Sequence, residues 1–233
     1  MTARNAERDE CVLNHLGKYG FSLRAIISRC CFEGGNPGNV LKRLSDSGKI
    51  VSRSGIGDNR SYYQLTPAEA ANRGFPKSSA KIISGDTLER RLAVVWYCTV
   101  TKRMRRLLSR EELNDAMPDL KSSLPHCIEK LKNKTYLISR LQVVSQKEPA
   151  EIARDMLADI KLDQNIKSVK RWLRLECYRY VILADDPSSD KARIKAISQA
   201  IAKKRIPRLS RFAVEFAPRS STLAHALKCI EES

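Results

Sequence analysis

Residues 41–74 read LKRLSDSGKIVSRSGIGDNRSYYQLTPAEAANRG. Leu41 and Leu44 lie one helical turn apart, and Gly48 follows where a helix would close through a left-handed residue. Ile50 and Val51 open a strand over 49–54, Gly55 to Asn59 form a glycine-rich loop expected to be mobile, and Tyr62, Tyr63 and Leu65 fall on a return strand over 60–65. Thr66, Pro67 and Glu69 then combine a helix cap, a first-turn proline and a glutamate placed to cap reciprocally. The stretch therefore predicts helix, strand, loop, strand, helix.

Upstream, Cys11, Val12, Leu16 and Tyr19 share helical spacing over 6–19, and Gly20 ends that run. A second short helix follows Ser22, with Leu23, Ile26, Ile27 and Cys30 on one face. Glu33, Gly34 and Gly35 make a turn. Asn36 then caps a third helix with Pro37 in its first position, where a missing N–H costs nothing.

This order resembles the winged helix-turn-helix superfamily, in the form seen in small bacterial transcription regulators. There a leucine-bearing recognition helix leads through glycine into an Ile-Val strand, an arginine-flanked wing and a Tyr-x-Leu-Thr-Pro return. The corresponding residues are Leu41, Leu44, Gly48, Ile50, Val51, Arg53, Arg60, Tyr63, Leu65, Thr66 and Pro67. The resemblance implies double-stranded DNA as partner. With the core positions assigned, Asn36, Asn39, Lys42, Arg43 and Ser45 remain for the groove, where asparagine pairs with adenine and arginine with guanine edges. Arg53, Asn59 and Arg60 on the wing suit phosphate. The same face could equally be a solvated helix surface, and many winged helices bind protein.

A constant shift lays Leu41, Leu44, Ile50, Val51, Ser52 and Arg53 on Ile128, Leu131, Leu137, Ile138, Ser139 and Arg140. This predicts a second winged-helix-like unit, with helices over 86–104, after a Ser109/Glu112 capping box, and from Ser122 or Ser123 to Lys132. Residues 72–85, NRGFPKSSAKIISG, read as a linker. The run TKRMRRLLSR at 101–110 offers Lys102, Arg103, Arg105, Arg106 and Arg110 for phosphate, with a solvated helix end as the alternative. Beyond it, helices over 148–176, strands at 178–184 and 212–216, and helices at 188–204 and 221–230 predict a small α/β layer. The expected class is α+β, with a winged helix at 1–74, a linker at 75–85, the second unit at 86–145 and a C-terminal domain at 146–233.

The chain of 233 residues carries 43 Lys and Arg against 26 Asp and Glu, a formal charge of +17. The excess is spread along the whole length, so the positive field belongs to the folded body and attracts polyanions. Seven cysteines, an odd number mostly set among apolar residues, suit free thiols in a reducing compartment. Cys11, His15, Cys30 and Cys31 lack the closely paired spacing of a zinc knuckle, so no metal is expected. The charged N-terminus does not read as a secretory signal, and no apolar run approaches the roughly 20 residues of a bilayer span. A cytoplasmic protein with no membrane association is expected.

Asp185, Asp186 and Glu215 are the best carboxylate set for a Mg²⁺-dependent nuclease, but no lysine follows Glu215 at the spacing that chemistry favours. His15, His126 and His225 belong to no recognisable nucleophilic arrangement. The expectation is a non-catalytic DNA-binding protein without cofactors, in transcription regulation or plasmid or phage DNA maintenance. Tandem winged helices on a basic chain of this size also resemble plasmid replication initiators. The C-terminal domain would join a homodimer or receive a protein partner. The alternative is an adaptor whose winged helices bind protein, and a nuclease ranks last.

Overall fold

The computed structural model describes residues 3–57, 60–100, 103, 105–131, 135–144, 147–186, 191–204 and 210–231, with the backbone alone at 3, 4 and 229–231. The architecture is mixed α+β, with a largely helical N-terminal region and a C-terminal mixed sheet. The chain divides into two compact units, Met1–Val100 with Arg219–Ser233, and Thr101–Pro218.

In the first unit, α1 (Ala3–Tyr19), β1 (Ser22–Leu23), α2 (Arg24–Phe32) and α3 (Gly38–Asp46) lead into a hairpin of β2 (Ile50–Ile56) and β3 (Arg60–Leu65), followed by α4 (Pro67–Asn72). The sheet order is β1-β3-β2, antiparallel throughout, with Ser22 opposite Tyr63 and Ile50 opposite Leu65. Val12, Leu13 and Leu16 of α1 meet Ile27 of α2, Val40, Leu41 and Leu44 of α3, and Ile50 and Leu65 of the hairpin. Each is a three-or-four-residue step or an inward strand position, so one apolar stripe per element closes the core. Full burial of such a side chain contributes about 1.5–3 kcal/mol.

The stretch 72–85, expected as a linker, packs into this unit. It holds a 3₁₀ turn (Lys77–Ser79), and Ser79, Ala80 and Ile83 are buried. The buried Gln64 amide donates to Gly20 O (2.9 Å) and Lys81 O (3.0 Å), and Tyr62 OH to Ile83 O (3.2 Å). Backbone carbonyls are thus satisfied by β3, which a Ser/Gly-rich composition does not reveal. The helices α5 (Gly85–Thr99) and α10 (Leu223–Glu231) complete the unit.

The second unit is a five-stranded sheet of order β4-β5-β6-β7-β8, formed by β4 (Arg105–Leu107), β5 (His126–Lys130), β6 (Tyr136–Val143), β7 (Tyr178–Ala184) and β8 (Arg211–Phe216). Its first three strands run antiparallel, and β6, β7 and β8 run parallel. The parallel pairs need crossovers, which α7 (Pro149–Asp163) with α8 (Lys167–Arg174), and then α9 (Ala192–Ala202), supply. Ile138, Tyr178, Tyr180 and Ile182 face Ile152, Met156, Ile160, Val169, Leu173, Ile197 and Ile201. The short helix α6 (Arg110–Ala116) opens with the full Ser109/Glu112 capping box expected from sequence.

Several expectations are corrected. The helix predicted from Ser122 or Ser123 to Lys132 is strand β5, paired on both sides, so this segment does not repeat α3. Ile128 and Leu131 fit a helical step, but pairing with β4 and β6 decides the backbone. The strand of the first hairpin continues through Gly55 to Ile56, which is buried beyond a bulge following Arg53. Glu69 does not cap reciprocally, because its carboxylate pairs with Arg73 (2.5 Å) one turn on. Cys11 and Cys31 form a disulfide between α1 and α2, with Cα atoms 5.7 Å apart, where free thiols were expected. Registry between two packed helices brings them together, and periodicity within either helix carries no record of it.

Candidate nucleic-acid interface

The third helix presents its surface by elimination. Val40, Leu41 and Leu44 go inward, leaving Asn39 and Lys42 exposed and Ser45 half-buried. Neither Asn39 nor Lys42 has a hydrogen-bond or ion-pair partner among the described residues. The helix begins one residue after the expected start. Pro37 is therefore the N-cap in place of Asn36, whose Oδ1 sits one residue further out and accepts from Gly38 N and from Arg24 Nη2, both at 2.8 Å. Asn36 thereby fixes the entry of α3 and ties it to α2.

Arg43 is turned toward α1, where its guanidinium pairs with the buried Asp9 carboxylate. Its side chain therefore positions α3 while remaining about one-third exposed. Sequence reasoning placed Arg43 with the groove-facing donors and missed Asp9. The signal was there: Asp9 occupies the stripe that also carries Val12, Leu13 and Leu16, an acid on an apolar face.

On the hairpin, Arg53 is half-buried opposite Tyr62 and lines a surface groove with Ile83 and Leu88. Arg60 is exposed and lines a second groove with Arg24 and Tyr63. Asn59 lies outside the described residues. Gly57 is backed from within the same unit. A Cβ on Gly57 would sit 2.0 Å from Ser220 O, and Ser220 N donates to Glu89 Oε2 (3.0 Å).

Arg103, Arg105 and Arg106 belong to the second unit and do not form one cationic patch. Strand alternation sends Arg105 and Arg106 to opposite faces of β4. The Arg105 side chain is 1% exposed, donating from Nε to Glu129 Oε2 (3.1 Å) and as a fork to Glu215 (2.9 and 3.0 Å). Arg179 joins this network through Glu129 (2.7 Å) and Ser139 (2.8 Å). Arg106 is exposed and paired with Glu112 (2.5 Å), and Arg103 is exposed at 3.7 Å from Glu129. Lys102 lies outside the described residues.

Two of the carboxylates considered for chemistry are bonded within the fold. Asp186 accepts from Ile194 N (3.0 Å) in the first turn of α9, and Glu215 is held by Arg105. Among the described residues no three His, Cys, Asp or Glu side chains cluster as metal ligands. Burial holds the His15 and His126 imidazoles down at about 4, so both are neutral at pH 7. No helix among the described residues is long and apolar enough to cross a membrane.

One cationic surface escaped the sequence reading. On α8, Lys167, Lys170, Arg171 and Arg174 are all exposed and line a shallow groove with Leu175. Their steps of three and four residues are legible in KSVKRWLR. Compared with family models, with curated proteins and with solved structures, the chain matches none.

Proposed function

We propose that the chain is a non-catalytic DNA-binding protein whose first unit is a winged helix, with α3 as the reading helix, serving transcription control or plasmid or phage DNA maintenance. The observation that carries this reading is the pair Asn39 and Lys42, exposed and without a partner among the described residues, on a helix whose other faces are fixed by the core, by Asn36 and by Arg43. The order α1-β1-α2-α3-β2-β3 with sheet order β1-β3-β2 supports it, as does a charge of +17. A helix so presented fits the major groove, where asparagine can grip adenine through two hydrogen bonds. Lys42 adds a flexible cation for guanine or phosphate, and exposed Arg60 lies where a wing would meet the backbone.

Selection from a random duplex pool, followed by binding of N39A/K42A to the selected site, tests the proposal. Arg43 is left in place because its loss would free Asp9 and loosen α3. A good base contact discriminates by about 1–3 kcal/mol, so selective affinity should fall about tenfold to a hundredfold with little change on unselected DNA. A wild-type chain that selects no sequence, or a variant that selects equally well, sinks the reading and favours a protein-binding adaptor.

A further inference from the structure

We infer that the outward face of α8 is a second polyanion site, one that grips the sugar-phosphate backbone of duplex nucleic acid. The inference concerns the second unit alone and stands whether or not α3 reads bases. The helix is locked down along its inner face. Val169 and Leu173 are buried at 0% and 2% exposure, the Trp172 indole N–H donates to Ala116 O (3.1 Å), and Ser168 is bound by Asp119. What remains is Lys167, Lys170, Arg171 and Arg174, all exposed and none ion-paired among the described residues.

Each of these positions has one of the others three residues away and another four away, so each cation faces another and the repulsion works against the helix. The positive end of the helix dipole is already met by the Asp119 carboxylate, which accepts from Ser168 N (3.2 Å), so the strain left over is the repulsion among the four cations. A polyanion relieves that repulsion. From Lys167 to Arg174 the helix rises about 10 Å, which spans roughly three phosphates of one strand. The two arginines add planar forks that match phosphate oxygens.

The same face suits a membrane poorly. An interfacial helix inserts an apolar side among the lipids, and the apolar side of α8 is already spent on the core. The exposed Leu175 supplies one aliphatic group at the helix end, too little to anchor it.

The experiment measures binding of the full chain to a labelled mixed-sequence duplex by anisotropy across a sodium chloride series of about 50–200 mM. K170Q/R171Q/R174Q removes three charges while keeping good helix formers. Its logarithmic salt slope should shrink by about two to three, and its affinity should drop by about tenfold or more at moderate salt. The charge-keeping K170R/R171K/R174K should bind within a few-fold of the parent, and thermal melting of the glutamine variant should be no lower than that of the parent. An unchanged slope overturns the inference, as does equal loss in the charge-keeping variant. A third arm uses vesicles of phosphatidylcholine with phosphatidylserine. Charge-dependent loss of vesicle binding with duplex binding intact would move the site to lipid and overturn it as well.

Discussion

His126 is held with Nδ1 2.9 Å from Leu124 O and Nε2 3.1 Å from the Tyr178 hydroxyl, at 2% exposure. Burial lowers its pKa to about 4, with the Leu124 carbonyl pulling the other way and Arg140 adding repulsion. His15, bonded to Ser22 Oγ at 2.8 Å, is lowered to about 4 by burial and then by Lys18. In the unfolded chain both return to about 6.5, so the unfolded state takes up protons first as pH falls. The stabilisation is complete above pH 6.5 and drains away toward pH 4. Two such groups give a loss of about 3 kcal/mol between pH 6.5 and 5, before most carboxylates titrate. Urea unfolding at pH 7, 6 and 5 should show that decline, with about half of it gone in His15→Gln. A flat profile across the window would refute the burial argument. The burial of His15 is legible, since it lies three and four residues from Val12 and Cys11 on the apolar stripe of α1, whereas that of His126 is not, because its partner Tyr178 lies 52 residues along the chain. The same holds for Arg105, which reads as one member of a basic run and is the centre of an interior ion network.

Gly17 shows how an element can keep a residue that its own propensity disfavours. It lies inside α1, where alanine would gain about 1 kcal/mol of helix stability. A Cβ there would fall 2.1–2.4 Å from the Phe75 ring, which packs against the core of the first unit. Overpacking of this kind costs about 1–3 kcal/mol. The cost exceeds the gain, so Gly17→Ala should lower stability by about 1 kcal/mol, and adding Phe75→Leu should recover part of that loss. Chemical denaturation of the single and double variants checks both statements; a stabilised single variant would show that the ring simply steps aside. Elements whose signals are local were legible: the Thr66 and Ser109 caps, the Gly48 terminator at φ 68°, and the helices and strands they bound. Strand β5 was not, since its identity rests on β4 and β6 and not on its own composition. The α3 surface could be drawn from periodicity alone, but the diversion of Arg43 to Asp9 required knowing which face of α1 lay across from it.

At the scale of the whole molecule, a charge of +17 makes two responses to salt oppose each other. A net charge this far from zero repels itself in the compact state, and added salt screens that repulsion. Opposing it are ion pairs such as Arg154 with Glu151, but exposed pairs contribute only about 0–1 kcal/mol each and lose little when screened. The interior network of Arg105, Arg179, Glu129 and Glu215 is shielded from ions by its burial and should hardly respond. Repulsion therefore dominates the balance, and the thermal midpoint should rise by a few degrees between about 50 and 300 mM sodium chloride, where the Debye length falls below about 10 Å. On the proposed function, duplex affinity over the same range should fall steeply, because each neutralised phosphate releases counterions that salt drives back. Scanning calorimetry and anisotropy on one preparation can follow both. A midpoint that falls with salt would mean that attractive pairs outweigh the net charge, and binding that weakens there would then report loss of structure rather than release of ions.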